Sequence, residues 1–136
     1  MAKTSHIFGL VLVLTLTTAT TSLGQTCMSG STFDRSNCRW KISEELDIEM
    51  NSAHLNARRF MLEEKALFRS MGSALFQTMP EQLEKSQRAF EAYREANCEF
   101  LSQATGGGTL SSRDTSGCRN EMTRDRIEIL KPYGGH

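Results

Sequence analysis

Proline is nearly missing from this 136-residue chain, where Pro80 and Pro132 are the two that occur. Aromatic residues are scarce at 7%, with one Trp and two Tyr, and neither charge is in excess, with 16 Lys and Arg against 16 Asp and Glu. Few prolines leave long helices uninterrupted. No stretch alternates apolar and polar residues as a half-buried strand must, so no sheet is expected. Without a basic excess the chain lacks the cationic face that nucleic-acid binding requires. It has no Cys-x-x-Cys pair and three histidines, too few ligands at the right spacing for zinc. The run Gly106-Gly107-Gly108-Thr109 lacks the later Gly-Lys-Ser/Thr of a phosphate-binding loop. No cofactor, metal or nucleic-acid partner is therefore expected.

One apolar run does occur, Ile7 to Leu16, and it is too short to span a bilayer as a helix. Lys3 precedes it, and Ser22-Leu23-Gly24 follows with small residues three and one positions before a cut. That is the pattern of a secretory signal peptide over residues 1–24. A lipidated cysteine wants a small residue before it, and Cys27 follows Thr26. Cleavage after Gly24 leaves 112 residues, 25–136, of net charge −1 once Lys3 is gone. That length suits a single domain with one core. All four cysteines lie within it, and an even count in an exported chain points to disulfides.

The remainder reads as helices. Between about Thr32 and Arg69, Ile42, Leu46, Met50, Ala53, Ala57, Phe60 and Leu67 recur at helical steps, and Gly72 is a stop. Thr78 and Glu81 stand at capping-box spacing around Pro80, and a second helix runs to about Gln103. The glycines of "TGGGTLSS" break it. Ser111 and Asp114 form a weaker capping pair for a last helix reaching about Lys131, ended by Pro132. The expected fold is all-α: an antiparallel three-helix bundle with a short N-terminal helical turn, stapled by two disulfides. Four cysteines allow three pairings, and proximity along the chain favours Cys27–Cys38 and Cys98–Cys118.

Winding the second helix at about 100° per residue puts Leu83, Phe90 and Leu101 on one line. Ala89, Tyr93, Ala96 and Phe100 fall on one flank and Cys98 on the other. Gln87 and Arg94 fall near the central line. A buried guanidinium needs a partner. Asp47 and Asn51 on the first helix are one turn apart beside its apolar stripe, so an Arg94–Asp47 pair with Gln87 and Asn51 alongside would fix the register. The plainer account of this set is a structural network rather than an active site.

These residues carry a family likeness. Cys27 and Cys38 enclose Thr32. Asp47-x-x-Met50-Asn51-x-x-His54 follows, where the family usually has Leu and Tyr in place of Met50 and His54. Leu83-x-x-x-Gln87-x-x-Phe90-x-x-Tyr93-Arg94-x-x-x-Cys98 has Phe90 where the family usually has Trp. Gly106-Gly107-Gly108-Thr109, Cys118, Thr123, Arg126 and Leu130 complete the series. The chain resembles the LprI-like lysozyme-inhibitor family of small exported bacterial domains. The resemblance implies a helical, disulfide-linked domain in the periplasm or outside the cell, and lysozyme inhibition as the activity of the family's namesake.

Catalytic chemistry has little to stand on. His54 beside the apolar stripe reads as a core or boundary histidine. Ser111 and Ser112 have cap and loop roles. Glu44, Glu45 and Glu49 read as a solvated face, and Met50, Met61, Met71, Met79 and Met122 as packing. A binding protein is the better reading, with a protein partner and a lysozyme as the first candidate. The stripe Glu84, Glu91, Glu95 and Glu99 could steer a basic partner. The tethered loop from Gly106 through Gly107, Gly108 and Thr109 to Ser112 could enter a cleft. The alternative is an envelope or secreted interaction protein with a different partner.

Overall fold

A computed structural model describes residues 27, 29–74, 76–104, 106 and 109–134, with backbone alone for 109–114. The expected signal peptide over 1–24 lies outside the described residues, as do Gly107 and Gly108 of the glycine loop. Three α-helices follow in order: α1 over Thr32–Ser70, α2 over Met79–Ala104 and α3 over Thr109–Leu130. A 3-10 turn over Lys131–Tyr133 closes the described chain.

α1 starts at a capping box. The Asp34 N–H donates to the Ser31 hydroxyl at 3.2 Å, and the Ser31 N–H donates to the Asp34 carboxylate at 2.9 Å. The Ser31 side chain and then its backbone N–H hold the Asp34 carboxyl below its ordinary 3.8. Gly30 enters this turn at φ +91°, and a Cβ there would meet the Asp34 Cβ at 2.9 Å, so the position needs glycine. α1 ends where Gly72, at φ +72°, donates its N–H to the Arg69 carbonyl at 3.0 Å.

The helices run up, down and up. Ser43 stands level with Asn120, and Glu49 with Lys131, so α1 and α3 are parallel. Asp47 meets Arg94, Arg58 meets Glu84 and Lys65 meets Glu81, so α2 is antiparallel to α1. Cys27–Cys38 ties the N-terminal turn to α1, and Cys98–Cys118 ties the end of α2 to the start of α3, with Cα atoms 5.5 and 5.7 Å apart. Chain proximity pairs the cysteines the same way. Each loop so closed is of a length worth about 3 kcal/mol in the chain-entropy account. The core comprises Ile42, Leu46, Met50 and Ala57 of α1, Ile127 and Leu130 of α3, and Cys27, with Leu83 and Phe90 of α2 packed against it.

Helix lengths differ enough to matter. At about 1.5 Å per residue α1 is roughly 58 Å long and α3 roughly 33 Å. Beside α1 the described C-terminal segment ends at Gly134, which packs near Asn56. Beyond residue 57, α1 continues with only α2 alongside among the described residues, held by the Lys65–Glu81 pair. This two-helix arm ends in the connector 71–78.

Several sequence expectations need correction. On α1, Leu67 is exposed and Phe60 half-buried, while His54 and Met61 are buried in line with their core and packing readings. The stripe drifts because successive steps of four carry it round the helix, and because Leu67 lies in the arm, past the reach of α3. On α2 the buried residues are Pro80, Gln87, Arg94 and Cys98, while Tyr93, Phe100, Leu101, Ala89 and Ala96 are exposed. Bonding Cys98 to Cys118 rotates α2 so that the Cys98 edge faces inward and the Tyr93–Phe100 edge outward. α3 begins at Thr109, so Ser111 and Asp114 lie inside the helix rather than capping it, and the loop expected to reach Ser112 is shorter. Met71 and Met79 are exposed and do not pack in the core.

Candidate binding surfaces

Where the three helices meet, the interior is polar. Arg94 is 8% exposed. Its Nη1 donates to Asp47 Oδ1 and to Thr123 Oγ1, both at 2.6 Å, and its Nη2 lies 3.4 Å from Glu95. The Arg126 Nε donates to Gln87 Oε1 at 3.0 Å and its Nη2 to Ser86 Oγ at 2.9 Å. Burial pushes the Arg126 guanidinium below its ordinary pKa, and the nearby Glu91 carboxylate opposes the shift. Both guanidinium groups lie over the Phe90 ring, 5.8 and 5.5 Å from its centre, in cation–π range.

Of the four residues expected together, the structure joins Asp47 to Arg94 and sends Gln87 to Arg126 and Glu91 instead. Asn51 is exposed. Thr123 of α3 holds the inner position beside Arg94. The helical wheel of α1 and α2 shows nothing of α3, so Thr123 and Arg126 entered the reading through the family likeness alone.

The glutamates of α2 are engaged within the chain. Glu84 Oε1 pairs with Arg58 Nε at 2.9 Å and with His54 Nε2 at 3.4 Å. Glu91 accepts from Gln87 Nε2 at 3.0 Å. Glu95 pairs with Arg119 as well as Arg94. Glu99 is exposed and accepts from Gln103 Nε2 at 2.9 Å. The stripe is therefore partly neutralised by arginines of α1 and α3, which weakens it as a steering surface. Of the glycine loop, Gly106 is exposed at φ +85°, and Thr109 is the first residue of α3.

Two surfaces escaped the sequence reading. The first is a groove where α1 passes the end of α2 and the start of α3. Its outer part, about 370 Å³, is lined by Ser36, Trp40, Ser43, Glu99, Ser116 and Arg119 among others. An inner recess of about 80 Å³ shares Trp40, Ser43 and Arg119 and reaches Asp47, Arg94, Asn120 and Thr123. A lone tryptophan on a helix, four residues before Glu44, was the available signal.

The second is the tip of the arm. Leu67, Met71 and Met79 are exposed there, Met71 by 69%. Arg69, at the same end of α1, is exposed, and its side chain forms no ion pair among the described residues. By contrast Lys65, one turn earlier, is bound to Glu81 at 2.8 Å, which draws the Glu81 carboxyl below its ordinary value. The connector is held by the Phe68 and Phe76 rings, 4.7 Å apart, and by Gln77 Nε2 donating to the Lys65 carbonyl at 3.3 Å. Phe76 takes φ +61°, a region that costs an L-residue about 1–2 kcal/mol.

Among the described residues no three His, Cys, Asp or Glu side chains are grouped to hold a metal ion. No described helix is long and apolar enough to cross a membrane. The family model described as "Lysozyme inhibitor LprI" matches residues 25–130. A curated, uncharacterized protein of Rhizobium meliloti (strain 1021) is 41% identical over 51 residues, 38% of this chain and 37% of that protein. The alignment thus spans little more than a third of that relative's length. No solved structure matches the chain.

Proposed function

Because the chain belongs to the lysozyme inhibitor LprI family, we propose that it is an exported protein that binds a lysozyme stoichiometrically and blocks it. Family membership carries the coarser statement, a role in protein–protein interaction. The two disulfides support action in the periplasm or outside the cell, where such bonds persist. The family match begins at residue 25, directly after the expected signal peptide.

The observation that carries the contact surface is the unshared cation at the apolar end of the arm. A lysozyme works in a sugar-binding cleft with a pair of carboxyl groups. A plug for such a cleft needs to project, to present apolar surface and to offer positive charge. The arm projects past α3, its tip exposes Leu67, Met71 and Met79, and Arg69 at the same end has no carboxylate partner among the described residues. The glutamates of α2 lack this freedom, since Glu84 and Glu95 already meet arginines.

The test is a turbidity assay with oxidised protein, a lysozyme and a bacterial cell-wall suspension. Inhibition should rise with protein and saturate at a fixed molar ratio. Arg69→Glu combined with Met71→Asp should weaken it at least about tenfold, which is about 1.4 kcal/mol of binding. The thermal midpoint should stay put, because both side chains are exposed. Inhibition unchanged in that variant but lost in Glu99→Lys would move the contact to the glutamate stripe. No inhibition of any lysozyme type at excess protein would remove this function in favour of another envelope or secreted partner.

A further inference from the structure

We propose that the groove beside Trp40 is a binding site for an uncharged saccharide, separate from the arm and independent of lysozyme. A sugar ring offers a face of C–H groups and a rim of hydroxyls. An exposed indole suits the first, and side chains that both donate and accept suit the second. Trp40 is 61% exposed, yet its Nε1 donates to Glu44 Oε1 at 3.1 Å. That bond orients the ring at the rim of the groove before any ligand arrives, which lowers the ordering cost of binding. Ser43 and Arg119 line both the groove and its recess, and about 370 Å³ falls within the usual range of small-molecule sites.

The recess is lined by polar side chains, Ser43, Asn120 and Thr123 together with Arg94 and Arg119. An entering hydroxyl group would meet hydrogen-bonding groups there rather than an apolar wall. The recess has room for a small arm such as a hydroxymethyl or acetamido group.

Charge disfavours an anion. Arg94 and Arg119 are matched by Asp47 and Glu95, and Glu44 and Glu99 add two further carboxylates. Glu44 and Glu99 accept from the indole and from Gln103, and their remaining lone pairs can accept from the hydroxyls of a neutral sugar. The site is also braced: Glu99 and Arg119 directly follow the bonded Cys98 and Cys118, and Trp40 lies two residues after the bonded Cys38.

Trp40 is the single tryptophan, so its fluorescence reports on the groove directly. The oxidised exported chain would be titrated with chitotriose and cellotriose, and with a sialylated trisaccharide as the anionic control. A saturable change with at least one neutral sugar is expected at or below about 10 mM. Calorimetry should show at least about a tenfold loss of affinity in Trp40→Ala, with the thermal midpoint preserved, and most of the affinity kept in Trp40→Phe. A flat titration with both neutral sugars, undiminished binding by Trp40→Ala, or tighter binding of the anionic sugar would each overturn the assignment.

Discussion

At one end of the bundle three helices meet, and both disulfides lie there; at the other, α1 and α2 run on as a pair. The stapled end holds a polar interior, with Arg94, Gln87, Thr123 and Arg126 buried among the helices. The arm is held by the Lys65–Glu81 pair and by apolar contacts, with Met61 and Pro80 buried and the Phe68 and Phe76 rings together at its tip. The saccharide groove belongs to the first region and the proposed lysozyme contact to the second. Local opening follows local contact density, so the arm is expected to open more readily than the stapled end.

The largest expected effect comes from removing a staple. Cys98→Ser with Cys118→Ser should lower stability by about 3 kcal/mol, read from a denaturant midpoint. Hydrogen exchange sharpens the comparison. In the oxidised protein, amides of 58–68 should exchange faster than those of 40–50, and in the double variant that gap should narrow. An arm that exchanges as slowly as the stapled end in the intact protein would break the contrast.

A smaller loss is expected at the polar interior. Arg94→Ala should cost about 2 kcal/mol, against no more than about 0.5 kcal/mol for the exposed Arg88→Ala. The usual 3–5 kcal/mol for a broken buried pair does not apply in full, because the Asp47 side chain is 48% exposed and can be rehydrated. Thr123 also keeps a partner, since its hydroxyl donates to the Arg119 carbonyl at 2.7 Å. Equal midpoints for the two variants would show that the network adds no stability.

The sequence carried the helix boundaries well, because Gly72, the glycines after Thr105 and Pro132 act on the backbone locally. It also carried the cysteine pairing, since neighbours along the chain lie at adjoining helix ends. The rotation of α2 was not legible. Leu83, Phe90 and Leu101 marked an apolar line, but the helix turns on Gln87, Arg94 and Cys98, whose partners come from two other helices. Trp40 and the arm tip were missed for a related reason. Exposure of an apolar residue depends on where a neighbouring helix stops, and only the packed lengths of α1 and α3 reveal that.

The smallest expected effect lies in the arm's connector, at Phe76. Its φ of +61° is a conformation that glycine takes freely and other residues take at a cost of about 1–2 kcal/mol. Phe76→Ala and Phe76→Gly both remove the ring that meets Phe68, so that loss cancels between them. What remains is the backbone: alanine keeps the strain, and glycine releases it while loosening the unfolded chain by about 0.4–1 kcal/mol. Strain exceeds that loosening where φ is positive, so Phe76→Gly should be the more stable of the two by a margin of up to about 1 kcal/mol. Thermal midpoints of the two variants measure the difference. Alanine equal to glycine would mean that the connector relaxes away from this turn once the ring at 76 is gone. Glycine ahead of alanine would show that the turn is held even without the Phe68–Phe76 contact, by the rest of the connector.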